Sequence, residues 1–479
     1  MLASVYVLGH RTCGRDRLNR GGSVARFVTR GIWAVVVLLC VGLVAWHLLT
    51  PAQRGESAPE TVALPSNAAQ PWGASGAEAP LPDAAELSQA VAKATEGRGG
   101  TYRVSVVDVV TGETLVDRDA KTPGTPASSL KLLTGAAALA SFDHDHRFAT
   151  TSTLAGDGSL RLVGGGDVLL GDGASDSQAV NGHAGLATLA QQTVAELHKR
   201  GEPAESYQVK VDASLFPGAG LNPDWADDLI TTNNITEVQT PAMHAGRQEA
   251  TPHSAVVRNP SNAALDAYVK ALEAAAKKAG VKSSFTAAGH ADGEEGAQQL
   301  GKVESATVLE QMHYMERNSD NYLAETLGRL VAVKRGATGS YQDATAQVTA
   351  AVKELGVDTV GLDMKDTSGL AATNQVTPHT LAGLLQHAET SPRADLRELA
   401  GLLPVAGVTG TLAQRLNGNK TKALIRAKTG TLAAVVSLSG YVTTKEGRLL
   451  SFSVMASDVK GAIAEARGVS DKIATELLG

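Results

Sequence analysis

Apolar residues change their spacing several times along this chain, and each change predicts a different element. Ile32 to Leu49 is an unbroken run of eighteen residues without a formal charge. As a helix it spans about 27 Å at ~1.5 Å per residue, close to the ~30 Å of a hydrocarbon core. From 51 to 82 the apolar period disappears into Ala, Pro, Ser, Gly and Glu, which predicts a flexible linker. A helix is expected near Asp83, in Asp-Ala-Ala-Glu-Leu-Ser-Gln-Ala-Val. A hairpin should follow, with Tyr102–Val110 and Glu113–Val116 joined at Thr111-Gly112. Pro126 then opens a run through Leu139 that is apolar nearly all round. Such a helix belongs at the centre of its domain, and Ser128 falls in its first turn.

Between about 153 and 300 the pattern turns to short strands, Gly-rich turns and one clear helical stretch, Ala263–Lys278. Helical spacing returns at Ser305–Arg317 and Asn321–Val333, leaving Ser319 in the joint. Leu424–Thr431, Ala433–Thr443 and Leu449–Ser457 read as strands, the last two joined at Lys445-Glu446-Gly447. A closing helix covers about 461–478. No repeat of solenoid period is present. Strands near both ends and a helical middle predict an α/β (α+β) fold: an antiparallel sheet flanked by helices, with a helical subdomain, interrupted by an inserted domain. The segments are a basic tail at 1–30, an apolar span at 31–50, the linker at 51–82, a main domain at 83–152 and 300–479, and the insertion at 153–299.

Composition narrows the choices. A length of 479 residues suits two or three domains, and with aromatics at 4% the cores must rely on Ala, Val and Leu. Six Arg against one Asp make the first 50 residues basic, while the whole chain carries −6, so the remainder is acidic. An acidic body argues against a nucleic-acid partner. The Arg excess before the apolar run, with Trp33 and Trp46 near its ends, predicts an N-terminus held in the cytoplasm and residues after 50 outside. No Ala-x-Ala follows Leu49, which favours a membrane anchor at 32–49 over a cleaved signal. Cys40 follows Leu39 in mid-span, where a lipoprotein would place a small residue. Cys13 and Cys40 are the only cysteines, so no disulfide framework or cysteine zinc site can form beyond them.

Three short words supply candidate chemistry: Ser128-Ser129-Leu130-Lys131, Ser319-Asp320-Asn321 and Lys428-Thr429-Gly430-Thr431. A serine hydroxyl needs a nearby base to act as a nucleophile. Lys131, three residues on, shares a helical face with Ser128, and burial lowers a lysine toward that role. Ser319 is placed to relay a proton, Asn321 to bind a substrate amide, and Asp320 to cap the joint. Lys428, Thr429 and Thr431 can hold a carboxylate by charge-assisted hydrogen bonds, with Gly430 leaving room for a substrate backbone alongside. Each word alone is weak. A second Ser-x-x-Lys, Ser457–Lys460, follows a strand with no apolar helix behind it. His144 and His146 follow a helix end and read as a turn rather than a metal site, and Gly164–Gly166 lacks the Lys-Ser/Thr of a phosphate loop.

The trio in this order is shared by penicillin-binding proteins and class A β-lactamases. Gly164-Gly165-Gly166-Asp167, Pro241-Ala242-Met243-His244-Ala245-Gly246-Arg247, Asp366-Thr367-Ser368-Gly369-Leu370, Leu403-Pro404-Val405-Ala406-Gly407 and Gly410-Thr411-Leu412 extend the likeness. Over 83–479 the chain resembles the D-alanyl-D-alanine carboxypeptidases of the S13 peptidase family, the class C, type-4 penicillin-binding proteins. The 187 residues between Lys131 and Ser319 also fit that family. Val168 and Ala371 depart from residues common in it, Pro and Ser.

The resemblance implies a penicillin-binding, β-lactamase-like transpeptidase fold and a serine DD-peptidase acting on the terminal D-Ala–D-Ala of peptidoglycan stem peptides. Ser128 would be acylated, Lys131 would act as base, and Ser128 and Thr431 N–H groups would form the oxyanion hole. β-Lactam antibiotics would be inhibitors, with no metal or cofactor. Asp366 and Ser368 are expected to shape a loop near the site. A β-lactamase and a non-catalytic wall-binding scaffold are the rival readings. No Glu stands four residues before an Asn between 321 and 428, so the deacylating Glu segment of class A enzymes is missing.

Overall fold

The computed structural model describes residues 78–479 apart from Glu202 and His253. The expected tail, the anchor at 32–49 and most of the linker lie outside those residues. Among the described residues no helix is long and apolar enough to cross a membrane.

Helix α1 (Ala84–Thr95) begins where Asp83 Oδ1 accepts the Ala85 and Glu86 N–H groups at 2.8 and 3.0 Å, satisfying donors that a helix start leaves open. Strands β1 (Thr101–Asp108) and β2 (Thr114–Arg118) form the antiparallel hairpin. A single 3₁₀ turn, Ala127–Leu130, leads into α2 (Lys131–Ser141), which is buried from Lys131 to Leu139. The expected central helix therefore exists, but its α-helical part starts at Lys131 rather than beside Pro126.

The chain next builds β3 (Ala149–Leu154), β4 (Leu160–Gly164), α3 (Leu186–Lys199), β5 (Ser206–Asp212), α4 (Pro260–Ala279), β6 (Ser284–His290) and β7 (Gln298–Glu304). These strands form a mixed sheet in the order β6-β5-β4-β3-β7, with β4, β5 and β6 parallel. Leu189, Val194 and Leu197 of α3 and Leu265, Tyr268 and Leu272 of α4 share a core with Leu162, Val209 and Val211. The sequence pattern yielded only one helix in this region. Leu186, Leu189, Ala190, Thr193, Val194 and Leu197 are all buried at helical spacing, but the helix starts at Gly185 without a side-chain cap. No start signal marks α3 in the sequence.

Helices α5 (Val308–Asn318), α6 (Asn321–Lys334), α7 (Tyr341–Glu354) and α8 (Pro378–Thr390) follow. A capping box, Thr307 with Glu310, sets the start of α5 three residues later than Ser305. Strands β8 (Ile425–Leu432), β9 (Val435–Thr443) and β10 (Leu449–Ser457) and helix α9 (Ile463–Glu476) end the chain. The antiparallel sheet runs β2-β1-β10-β9-β8, and Thr101 opposite Ser457 shows how the distant chain ends close it. Leu87 and Val91 of α1 and Ile473 of α9 pack in one core with Val104, Phe452 and Val454. Residues of α2, α5, α6, α7 and α8 form another, joined by Tyr441 and Met455 of the sheet.

The long connection between β5 and α4 crosses the helices and is fastened by Arg329 of α6. Its guanidinium is fully buried and donates to the carbonyls of Gly339, Val238 and Pro217 at 2.5, 3.0 and 3.1 Å. Its Cζ also lies 4.5 Å from the Phe216 ring centre and 4.4 Å from that of Tyr341. Arg329→Met leaves the buried carbonyls of Gly339 and Val238, and the part-buried one of Pro217, without this donor, at about 1–3 kcal/mol for each buried unsatisfied group. We expect a loss of about 3–5 kcal/mol in denaturant unfolding, with earlier proteolysis between 213 and 258.

Candidate active site

The nucleophile turn is held from three sides. Ala127 takes φ +47°, a conformation that costs a non-glycine residue about 1 kcal/mol, and it turns the chain sharply before Ser128. Ser437 Oγ of β9 donates to Pro126 O at 2.5 Å and meets Ser129 Oγ at 2.8 Å. Beneath the turn lies Gly430, where an added Cβ would stand 2.2 Å from Ser437 Oγ, 2.8 Å from Pro126 O and 2.9 Å from Ser128 N. Gly430 was expected to make room for substrate; here its missing Cβ lets β8 pass directly under the nucleophile. Gly430→Ala should therefore displace Ser128 and slow penicillin acylation about 100-fold, as measured by the rate of labelling.

Lys131 is fully buried. Its Nζ lies 3.1 Å from Ser128 Oγ and donates to Asn321 Oδ1 at 2.8 Å and Ser368 O at 2.7 Å. Burial pushes this lysine down to about 8, against the charges of Glu316, Asp366, Glu325 and Asp320. A base poised there can take a hydroxyl proton near neutral pH. Asn321 was expected to bind a substrate amide. Its Oδ1 accepts from the base and its Nδ2 donates to Asn234 O at 3.1 Å, while the residue lines the cleft.

Ser319 ends α5 in the left-handed region, φ +54°. Its Oγ accepts from Lys428 Nζ at 2.8 Å rather than from Lys131. Asp320 caps α6, accepting Leu323 N–H at 2.8 Å, as its position suggested. Lys428 is fully buried; its Nζ also donates to Thr429 O at 3.0 Å. Burial lowers it, opposed by Glu316 and assisted by Lys131. The expected direct grip of Lys428 on a carboxylate gives way to a lysine beneath the surface, under the hydroxyl of Ser319. Thr429 Oγ1 donates to Thr411 Oγ1 at 2.8 Å. Thr431 is exposed; its hydroxyl donates to Gly430 O at 2.8 Å and accepts from Arg467 Nη2 at 3.2 Å.

Above these groups opens a cleft of about 530 Å³, whose lining includes Ser128, Ser319, Asn321, Thr411, Thr429 and Thr431. The β5–α4 connection supplies another wall through Ala226, Asp228, Leu229, Thr232 and Asn234. The decoy pair is elsewhere: Ser457 Oγ accepts from Arg103 Nη1 at 3.0 Å, and Lys460 is exposed. His146 packs against the rings of Phe142 and Phe148, at 5.2 and 5.1 Å between centres. An added Cβ at Gly164, Gly165 or Gly166 would strike Pro241, Ala149 O or Leu330, so these glycines serve close packing.

The model of the D-Ala-D-Ala carboxypeptidase 3 (S13) family matches residues 84–255 and 244–476. The chain belongs to this family. It is 33% identical over 409 residues to a carboxypeptidase of Mycobacterium tuberculosis, covering 83% of this chain and 85% of that one. With carboxypeptidase DacB of Mycolicibacterium smegmatis it shares 31% identity, over 89% of this chain and 92% of the relative. Its fold matches the crystal structure of penicillin binding protein 4 of Haemophilus influenzae, with a TM-score of 0.65 at 19% identity, over 83% of this chain and 98% of that one.

Within this family member, the loop that carries Ser368 is braced by two buried carboxylates. Glu325 accepts the Thr367 and Ser368 N–H groups at 3.1 and 2.8 Å and the Thr367 hydroxyl at 3.0 Å. Burial and the neighbouring Asp366 raise it to about 8. Asp366 accepts from Gly369 N, Ala371 N, Asn374 Nδ2 and Trp225 Nε1, all within 2.6–2.8 Å. Thus Asp366 does shape the loop, and the Ser368 carbonyl reaches Lys131. Glu325, Asn234, the Ser368 carbonyl and Thr411 were not singled out as site groups from sequence. The Gly410-Thr411-Leu412 word was the only available signal for Thr411.

Proposed function

We propose that this protein is a serine DD-peptidase that hydrolyses the terminal D-Ala–D-Ala amide of peptidoglycan stem peptides through an ester on Ser128. The observation that carries this reading is Ser128 Oγ at 3.1 Å from a fully buried Lys131 Nζ, at the floor of an open cleft. Lys131 takes the hydroxyl proton as Oγ attacks the penultimate D-Ala carbonyl. Family likeness assigns the oxyanion to the Ser128 and Thr431 N–H groups, which supply charge stabilisation without reorganisation. Ser319 hands its hydroxyl proton to the departing D-Ala amine and takes one in turn from Lys428 Nζ, which already donates to it. The Thr429, Thr411 and Ser319 hydroxyls receive its carboxylate, with Lys428 supplying positive charge from below. Water then attacks the ester, its proton passing through Ser319 to Lys428, while Lys131 returns a proton to Ser128 Oγ as the acyl bond breaks. The basic tail and the run at 32–49 support an anchored enzyme with this domain outside the cytoplasmic membrane.

Penicillin should acylate Ser128 and leave slowly. Glu325 and Asp366 spend their oxygens on the loop, so neither is free to activate a deacylating water. The test is the decay of a fluorescent penicillin label on the wild-type protein. Loss over hours supports the peptidase, whereas turnover of many per second would mean a β-lactamase. Parallel assays on D-Ala–D-Ala peptides and cross-linked dimers separate carboxypeptidase from endopeptidase action.

A further inference from the structure

Glu316 is the buried acid to which the reaction above gives no task. It lies on α5, fully buried, and neither carboxylate oxygen has a hydrogen-bond partner among the described residues. Buried polar groups are ordinarily paired, and an unpaired carboxylate is costly. Space for it comes from α2: a Cβ added at Gly135 would stand 3.3 Å from Glu316 Oε1 and 3.7 Å from Met312 Cε. Gly135 is one turn beyond Lys131, so the carboxyl sits against the helix that carries the base. The charged groups facing it are Lys428 from β8 and Lys131 from α2. Asp320, which caps α6, Glu325 of α6 and Asp366 of the α7–α8 loop act on Lys131 instead. His313, on the same helix as Glu316, faces Arg317 and Arg426.

We propose that Glu316 is a positioning residue for the Ser128–Lys131 pair: it is the common counter-group of Lys131 and Lys428 and decides which of them holds a proton. The inference rests on the DD-peptidase reading of this site. Two buried ammonium groups repel each other, and a single carboxyl faces both. Acylation needs Lys131 neutral, so that it can accept a proton, and Lys428 charged, so that it can hold Ser319. That state contains the same protons as one with both lysines charged and Glu316 ionised; one proton has passed from Lys131 to Glu316. The reactive form therefore arises at constant net charge. When the bond from Ser128 Oγ to the substrate carbon forms, the hydroxyl proton goes to Lys131 and the Glu316 proton stays where it is. Burial pushes the Glu316 carboxyl up and both lysines down, so the three groups titrate together rather than singly.

The test is the pH profile of the second-order rate of penicillin acylation, for the wild type, Glu316→Gln and Glu316→Leu. Leu replaces an unpartnered buried acid with an apolar group, a change that folded proteins often tolerate or gain from, so at least one variant reports on the site. Removing the negative charge lets both lysines lose their protons at lower pH. Both limbs should then move about one unit toward acid, so that at fixed pH the rate rises about tenfold on the acid limb and falls about tenfold on the alkaline limb. Glu316→Asp, which restores the charge, should move the limbs back. Limbs that superimpose on the wild type in a folded Gln or Leu variant would overturn the proposal. If the wild type is not acylated at all, the DD-peptidase reading falls and this inference with it. If the wild type is acylated, Ser128→Ala is not, and the limbs stay fixed, Glu316 alone loses its role.

Discussion

Ser128→Ala abolishes covalent labelling by penicillin and the release of D-Ala, with a loss of at least about 10⁴-fold. The expectation follows from geometry rather than from the Ser-x-x-Lys spelling, which also occurs at Ser457–Lys460. Only the first copy brings its hydroxyl to a buried ammonium in an open cleft. The substitution removes one oxygen from a half-buried position in a helical turn, and the fastening of that turn by Ser437 and Ser129 is untouched. Its melting curve should therefore follow the wild type. Gel fluorescence and a D-Ala release assay check the activity, and labelling retained by the variant would place the nucleophile elsewhere.

Lys131→Met keeps most of the side-chain volume and removes the base. Acylation should fall by about 10²–10⁴-fold, the usual contribution of a positioned proton acceptor, and the remaining rate should lose its dependence on pH near 8. The sign is fixed by the direction of the shift. Burial holds Lys131 below the ordinary lysine value, down to about 8, so its neutral, proton-accepting form grows as pH rises through that value. Stability should change less than activity. The variant frees Asn321 Oδ1 and Ser368 O of a donor, at about 1–3 kcal/mol each if left unpaired, but also removes a buried cation whose desolvation offsets part of that cost. Stopped-flow acylation across pH and denaturant unfolding of the same variant separate the two effects. A steep pH-dependent rate surviving in Lys131→Met would identify another base.

The chemistry was legible where it depended on local spacing. Ser128 and Lys131 meet because residues three apart on a helix share a face, and α5, α6 and β8 stand close to where periodicity put them. Long-range pairing was not legible. Nothing local announces that Asn321 is held by the Asn234 carbonyl, 87 residues away, or that Ser319 belongs to Lys428 rather than Lys131. Those partners are set by the left-handed turn at Ser319 and by the crossing of the β5–α4 connection. Gly430 was recognised as important for a different reason from the one its packing gives. Glu316 looks like an ordinary helix-face acid until α2 and β8 close over it.

The chemistry of the site turns on Ser128 carrying the acyl group, with Lys131 beside it as base. Peptide mapping of the wild-type protein by mass spectrometry, after brief exposure to penicillin, tests it most directly. One penicilloyl adduct per chain is expected, located on Ser128 and blocked by prior incubation with a D-Ala–D-Ala peptide. No adduct, or an adduct on any other residue, would contradict it.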